Sequence, residues 1–296
     1  MPENFADRLL VAVGAKGSPV CVGIDPVYER LPEELRRGRA DGAGRLEAVA
    51  DFCGQLLEIV APIVPAVKPQ IARFEVYRAE GVGLYFEVVR RARELGLVVI
   101  GDVKRGDIGS TAEAYAAAHL GGDGADAVTV NGYFGADGLA PFVSAARDAG
   151  GGLFVLVRTS NPSAADIQNF RDAAGKRFYE HMAEQVSGIG DGEGLVGARG
   201  YSCVGAVVGA TYPDEARRLR EIMPRQIFLV PGYGAQGATA KDCAAAFKDD
   251  GTGAIVNASR SVIFAHQSAR YDGMDWKQAV EAAAKALAED IRQGLG

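Results

Sequence analysis

The sequence predicts an α/β protein of the (β/α)8 TIM-barrel class, and three observations carry that prediction. Short β-branched apolar runs recur eight times along the chain. Longer amphipathic segments separate them, and apolar strands alternating with helices indicate a parallel sheet covered by helices. The 296 residues hold these units as a single domain, 1–296, a size common for closed α/β barrels. A doubly wound open sheet shares the alternation, and periodicity alone does not separate the two.

The units follow in order. "VCVGID" (20–25) is the first strand, and "RLEAVADFCGQLLEIV" supplies a helix after it. "AVK" (66–68) is followed by the helical pattern "YFEVVRRARELG", and "LVVIGDVK" (97–104) by "TAEAYAAAHL". "AVTVNGY" (127–133) is the fourth strand and "LFVLVRTS" (153–160) the fifth. An extended connection at about 161–202 comes next, opening on "NPSAADIQNF" and holding one helix and the Gly-rich "SGIGDGEG". "CVGAVVGAT" (203–211) leads to "PDEARRLREIM", and "IFLVPGYG" (227–234) to "CAAAFKDD". "GAIVNASR" (253–260) is the eighth strand, and "WKQAVEAAAKALAEDI" closes the chain as a helix.

Composition narrows the function classes. The chain is 48% hydrophobic and 24% charged with a net charge of −6, ordinary for a globular protein and opposed to a nucleic-acid surface, which needs a basic face. No apolar stretch approaches the roughly 20 residues of a membrane span, and "MPENFADRLL" has acids where a signal peptide needs bases. The four cysteines, Cys21, Cys53, Cys203 and Cys243, form no C-x-x-C pair, and the three histidines lie far apart. Neither a zinc site nor a disulfide framework is expected, and free thiols suit the cytoplasm.

Ligands of a parallel barrel bind at the C-terminal strand ends. Reading that end of each run gives Asp25, Lys68, Asp102 with Lys104, Asn131, Thr159 with Ser160, Gln236 and Arg260. Only eight of the 32 basic residues are lysine, yet Lys68 and Lys104 both fall at strand ends. A compact ammonium there suits proton transfer or Schiff-base chemistry better than a guanidinium. In "GDVKRGDIGS", Asp102 and Lys104 are two apart and so share one side of a strand. Opposite charges in a water-poor site hold each other ionised, although a rim salt-bridge network has the same composition. "PGYGAQG" matches the dinucleotide fingerprint G-x-G-x-x-G but follows the seventh strand rather than the first. It reads better as a phosphate loop, which barrels place after strands seven and eight, where Gln236 and Arg260 lie.

These residues resemble the orotidine 5′-phosphate decarboxylase family. D-x-K-x-x-D-I falls on Asp102, Lys104, Asp107 and Ile108, and "VCVGIDP", "AVKPQ", "TVNGYFG", "LVRTSNPS", "VPGYGAQG" and "NASRS" follow the family's order. The pattern is most similar to the family's longer bacterial subgroup. The resemblance implies a decarboxylation of orotidine 5′-phosphate to uridine 5′-phosphate, without cofactor or metal, in pyrimidine biosynthesis. It implies a homodimer with shared active sites, in which Lys68, Asp102, Lys104 and Asp107 form an alternating charged array and Asp107 reaches into the neighbouring subunit. Lys104 is then the acid that protonates C6, and Asp102 lies beside the substrate carboxylate. Asp25 and Lys68 hold the ribose hydroxyls, Ser160 the pyrimidine edge, Gln236 and Arg260 the phosphate, and Thr111 the partner's nucleotide. Thr159 and Asn161 are adjacent polar candidates for the role of Ser160.

Other functions need features that the sequence lacks. A metal-dependent sugar-phosphate decarboxylase or aldolase on the same barrel needs further carboxylate ligands at strand ends. A Schiff-base aldolase needs a neutral Lys104, which the flanking acids oppose. A non-catalytic phosphate-ligand sensor would have lost one of the charges.

Overall fold

In the computed structural model, which describes residues 2–234 and 237–296, the apolar runs form eight strands. They are β1 (Val20–Ile24), β2 (Ala66–Pro69), β3 (Val98–Arg105), β4 (Ala127–Val130), β5 (Gly152–Arg158), β6 (Ser202–Val208), β7 (Gln226–Pro231) and β8 (Ala254–Ala258). Each pairs in parallel with the next, and β8 closes on β1 through Cys21 opposite Asn257. The expected barrel is therefore closed, and the open-sheet alternative is excluded. Helices such as Gly42–Val60, Arg78–Glu94 and Trp276–Leu295 pack outside it and bury one face each. Strands covered by helices outside and by other strands inside need apolar residues on both sides, which is why the runs read as continuous.

Several boundaries differ from the sequence reading. β4 ends at Val130 rather than at 133, because Asn131 accepts a hydrogen bond from the Tyr133 N–H and starts a 3-10 turn, Gly132–Phe134. The connection after β5 holds two helices, not one. A short one spans Ala164–Gln168, and Phe178–Gly190 takes up half of the Gly-rich stretch. The longer helix buries Tyr179, Met182, Ala183 and Val186 and is the ordinary outer helix between β5 and β6. Only about 161–177 is therefore additional to the barrel repeat. The segment "CAAAFKDD" is helical only to Ala244, in a short helix capped by Thr239.

A helix ahead of the first strand, Phe5–Lys16, seals the N-terminal mouth. Phe5 packs edge-on against Phe154, with centroids 5.8 Å apart, and lies where a side chain at Gly152 would clash. Arg8 pairs with Asp126 at 2.7 Å, and Asp126 in turn accepts the Val99 N–H. Near the same end, Arg220 donates to the carbonyls of Ala246, Met223, Gln226 and Gly253 and lies 3.6 Å from the Phe228 ring centroid. Burial pushes its guanidinium down to about 10. With one mouth closed by side chains, the C-terminal ends of the strands are left to carry the site. No helix among the described residues is long and apolar enough to cross a membrane.

Candidate active site

At the C-terminal mouth a cavity of about 400 Å³ opens over the barrel axis. Lys68, Asp102, Lys104, Thr129, Thr159, Ser160, Asn161 and Asn257 supply its polar lining, and Leu156, Val207, Leu229 and Pro231 its apolar walls.

Asp102 is the centre of the polar cluster. One carboxylate oxygen accepts from Lys68 Nζ at 2.6 Å and Gln70 Nε2 at 2.9 Å. The other accepts from Lys104 Nζ at 2.5 Å and the Thr129 hydroxyl at 3.0 Å. Burial alone would raise the Asp102 carboxyl, but the two ammonium groups outweigh it and hold it well below the usual carboxylate range. Burial alone would likewise lower Lys68, and Asp102 followed by Asp25 holds it above the usual ammonium range instead. The depressed carboxyl stabilises the fold above its unfolded value near 3.8 and loses that contribution as pH falls through the lower folded value. The raised ammonium contributes fully below its unfolded value near 10.5 and loses its share only as pH rises through the higher folded value. The ionised pair thus persists across the neutral range.

The two lysines are not equivalent. The Lys68 side chain is 7% exposed, whereas that of Lys104 is 47% exposed. Both line the cavity, and Lys104 is the one that stands out farther into it. Its approach to Asp102 does not come from simple alternation along a strand. Gly101 pairs with Val128 and Arg105 with Val130, so β3 carries a bulge, and Lys104 has the left-handed φ of 45°. A non-glycine residue there costs on the order of 1–3 kcal/mol and is kept only where its surroundings impose it. Thr129 is the restraint. Its hydroxyl accepts the Lys104 N–H at 3.0 Å while donating to Asp102, fixing the bulge and the carboxylate together. On the outer side Arg105 pairs with Glu75 at 2.5 Å, tying the strand end to the segment after β2.

The remaining candidates divide by position. Asp25 lies just beyond β1, beside Lys68, with one carboxylate oxygen buried and without a hydrogen-bond partner. Ser160 lines the cavity with its neighbours Thr159 and Asn161. Those two are tied to one another, Thr159 Oγ1 donating to Asn161 Oδ1 at 2.7 Å, and Asn161 Nδ2 donates onward to Ser163. Arg260 does not line this cavity. It borders a separate cleft of about 670 Å³ with Arg30, Tyr233, Gly234 and Ser261, farther along the same two strands that bring Pro231 and Asn257 to the cavity. Gln236 lies outside the described residues. Asp107 and Thr111 stand apart from the cluster. The Asp107 carboxylate accepts from the adjacent Ile108 N–H at 2.8 Å, and Ile108 and Thr111 are exposed. Asn131, a polar strand end in the sequence, is turned to capping.

Thr129, Gln70 and Asn257 were not singled out by sequence reasoning. Thr129 and Asn257 interrupt the apolar runs "AVTV" and "AIVNA", and a buried polar residue inside such a run was the available signal. Among the described residues no three His, Cys, Asp or Glu side chains gather as a metal cage. The histidines sit elsewhere. His119 stacks on Phe86 and burial pushes it down to about 4, His181 pairs with Asp172 on the surface, and His266 packs edge-on against Phe264. All four cysteines are free and buried.

Comparison with known proteins adds an independent line. Residues 18–270 match the model of the Orotidine 5′-phosphate decarboxylase / HUMPS family. A protein of Rhodopirellula baltica named orotidine 5′-phosphate decarboxylase is 43% identical over 302 aligned positions, covering 98% of this chain and 99% of its own. One of the same name from Deinococcus radiodurans is also 43% identical, with complete coverage of both. The solved structure of Leishmania donovani OMP decarboxylase superposes with a TM-score of 0.77 at 34% identity, over 99% of each chain.

Proposed function

This chain belongs to the orotidine 5′-phosphate decarboxylase / HUMPS family, and we propose that Lys104 is the acid of its reaction. The enzyme is a carboxy-lyase of pyrimidine biosynthesis that converts orotidine 5′-phosphate to uridine 5′-phosphate. The observation that carries the proposal is the asymmetry of the cluster. One ammonium, Lys68, is sealed beneath Asp102, and the other, Lys104, stands half-exposed at the cavity.

The chemistry follows from that asymmetry. As the C6–carboxylate bond breaks, carbon dioxide leaves and its bonding pair stays on C6. No adjacent carbonyl delocalises that pair, so the site must stabilise it electrostatically. A fixed ammonium in a preorganised, partly dry pocket does this efficiently. Lys104 then gives its proton to C6, and Asp102, ionised throughout, keeps the lysine aimed. Neither step calls for a cofactor. Asp25 and Lys68, neighbours at the ends of β1 and β2, suit the ribose hydroxyls, and Ser160 the pyrimidine edge. Arg260 suits the phosphate, with Gln236 as its companion by family resemblance.

The reading includes a homodimer. Asp107 bonds within its own loop rather than with the lysines, and Ile108, Tyr133 and Phe134 are exposed apolar side chains. A second copy covering them would bring its own Asp107 and Thr111 to this cavity. Free buried thiols fit a reducing cytoplasm.

Two expected results test the reading. Loss of orotidylate absorbance should proceed undiminished after exhaustive treatment with EDTA. Activity lost to the chelator and restored by magnesium would contradict a reaction carried by lysine and aspartate alone. Arg260→Ala should weaken uridine 5′-phosphate roughly tenfold to a hundredfold, the worth of a charge-assisted hydrogen bond, and leave uridine almost unaffected. Equal losses for the two ligands, measured by competitive inhibition, would remove Arg260 from the phosphate site.

A further inference from the structure

The stretch that is additional to the barrel repeat ends its short helix on Gln168, and that side chain turns back onto the cavity rim. Gln168 Oε1 accepts from the Thr159 N–H at 3.0 Å and from Arg158 at 2.9 Å. Its amide nitrogen donates to Thr159 Oγ1 at 2.8 Å. Thr159 Oγ1 is thereby left to donate to Asn161. The anchor beneath is Arg158, which is 1% exposed, bonds to Glu215 at 2.5 Å and lies 4.1 Å from the Tyr212 ring centroid. Glu215 is held from its other side by Arg177 at 3.2 Å.

The side chains of Thr159 and Asn161 are thus committed to this network. Among the described residues Ser160 alone of the three makes no side-chain hydrogen bond, and it lines the cavity. Its close approach to the next strand is allowed by Gly209, where a Cβ would come within 3.1 Å of the Ser160 Cβ. We infer that Gln168 is a positioning residue, which locks Thr159 and Asn161 so that the Ser160 hydroxyl is presented to the pyrimidine ring. The added segment then serves as the template of the base-reading loop. The inference rests on the reading of Ser160 as the pyrimidine contact.

The test uses two ligands on the full-length enzyme, uridine 5′-phosphate and ribose 5-phosphate, which lacks the base. Gln168→Met keeps the length of the side chain and removes its hydrogen bonds. It should weaken uridine 5′-phosphate about tenfold, the scale of one or two net hydrogen bonds, and leave ribose 5-phosphate within about twofold. Gln168→Glu retains the acceptor for the Thr159 N–H and Arg158 but loses the donor that leaves the Thr159 hydroxyl free for Asn161, so it should recover only part of the affinity, falling between Gln168→Met and wild type. Ser160→Ala should repeat the base-specific loss. Equal weakening of both ligands in Gln168→Met, with no rescue in Gln168→Glu, would reduce Gln168 to a general structural role and overturn the inference. Unchanged uridine 5′-phosphate binding in Gln168→Met beside a loss in Ser160→Ala would overturn the positioning role alone. Unchanged binding in Ser160→Ala would instead overturn the pyrimidine contact on which it rests.

Discussion

Lys104→Ala should lower decarboxylation by at least about a hundredfold, the lower end of what a positioned general acid supplies, while uridine 5′-phosphate binds within a few-fold of wild type. The structure makes this variant a clean test. Lys104 is half-exposed, and its removal leaves Asp102 paired with Lys68, Gln70 and Thr129. The left-handed backbone at position 104 suits alanine no better and no worse than lysine, so the bulge is not relieved. Lys68 offers no such separation. It is sealed beneath Asp102, and breaking a buried pair by removing one partner costs roughly 3–5 kcal/mol of stability. Single-turnover absorbance and equilibrium binding, with a thermal midpoint to verify folding, decide the result. More than about a tenth of wild-type turnover would sink the proton-donor role, because it is far above what remains without a general acid.

The site was legible where its chemistry interrupts an apolar run at the end of a strand. Lys68, Asp102 and Lys104 are charged residues after continuous β-branched stretches, and the barrel does gather them at one cavity. Asn131 followed the same logic and went elsewhere, because β4 stops at Val130 and the next residue is free to cap a turn. A terminal polar residue is informative only when the strand end is correctly placed. Thr129, one residue inside that boundary, was the one aimed at Asp102.

The bulge at Lys104 could not be read from the sequence. It depends on the register of β3 against β4 and on the Thr129 hydroxyl, which are tertiary facts. Arg158 left a legible signal in "LFVLVRTS", a lone guanidinium in an apolar strand. Its partners Glu215 and Gln168 lie in different segments, so the pairing required the fold. Arg260, read as the end of the eighth strand, lies two residues beyond β8 and opens a short helix, Arg260–Ile263, so its side chain borders the neighbouring cleft rather than the cavity.

The central claim is that the reacting centre is built by two copies of the chain, Lys68, Asp102 and Lys104 from one and Asp107 from the other. Homodimers of Lys104→Ala and of Asp107→Ala should each be nearly inactive. In a mixed dimer one site collects both lesions, and the other joins an intact Lys104 to an intact Asp107. Half the dimers are mixed after random exchange, and half of their sites are whole. Co-refolding equal amounts should therefore restore about a quarter of the wild-type turnover per chain, by counting over a two-fold dimer. Recovery to that level is the result expected. No recovery, with subunit exchange demonstrated by differently tagged chains, would show that each Asp107 serves its own chain and that the charged array is not shared.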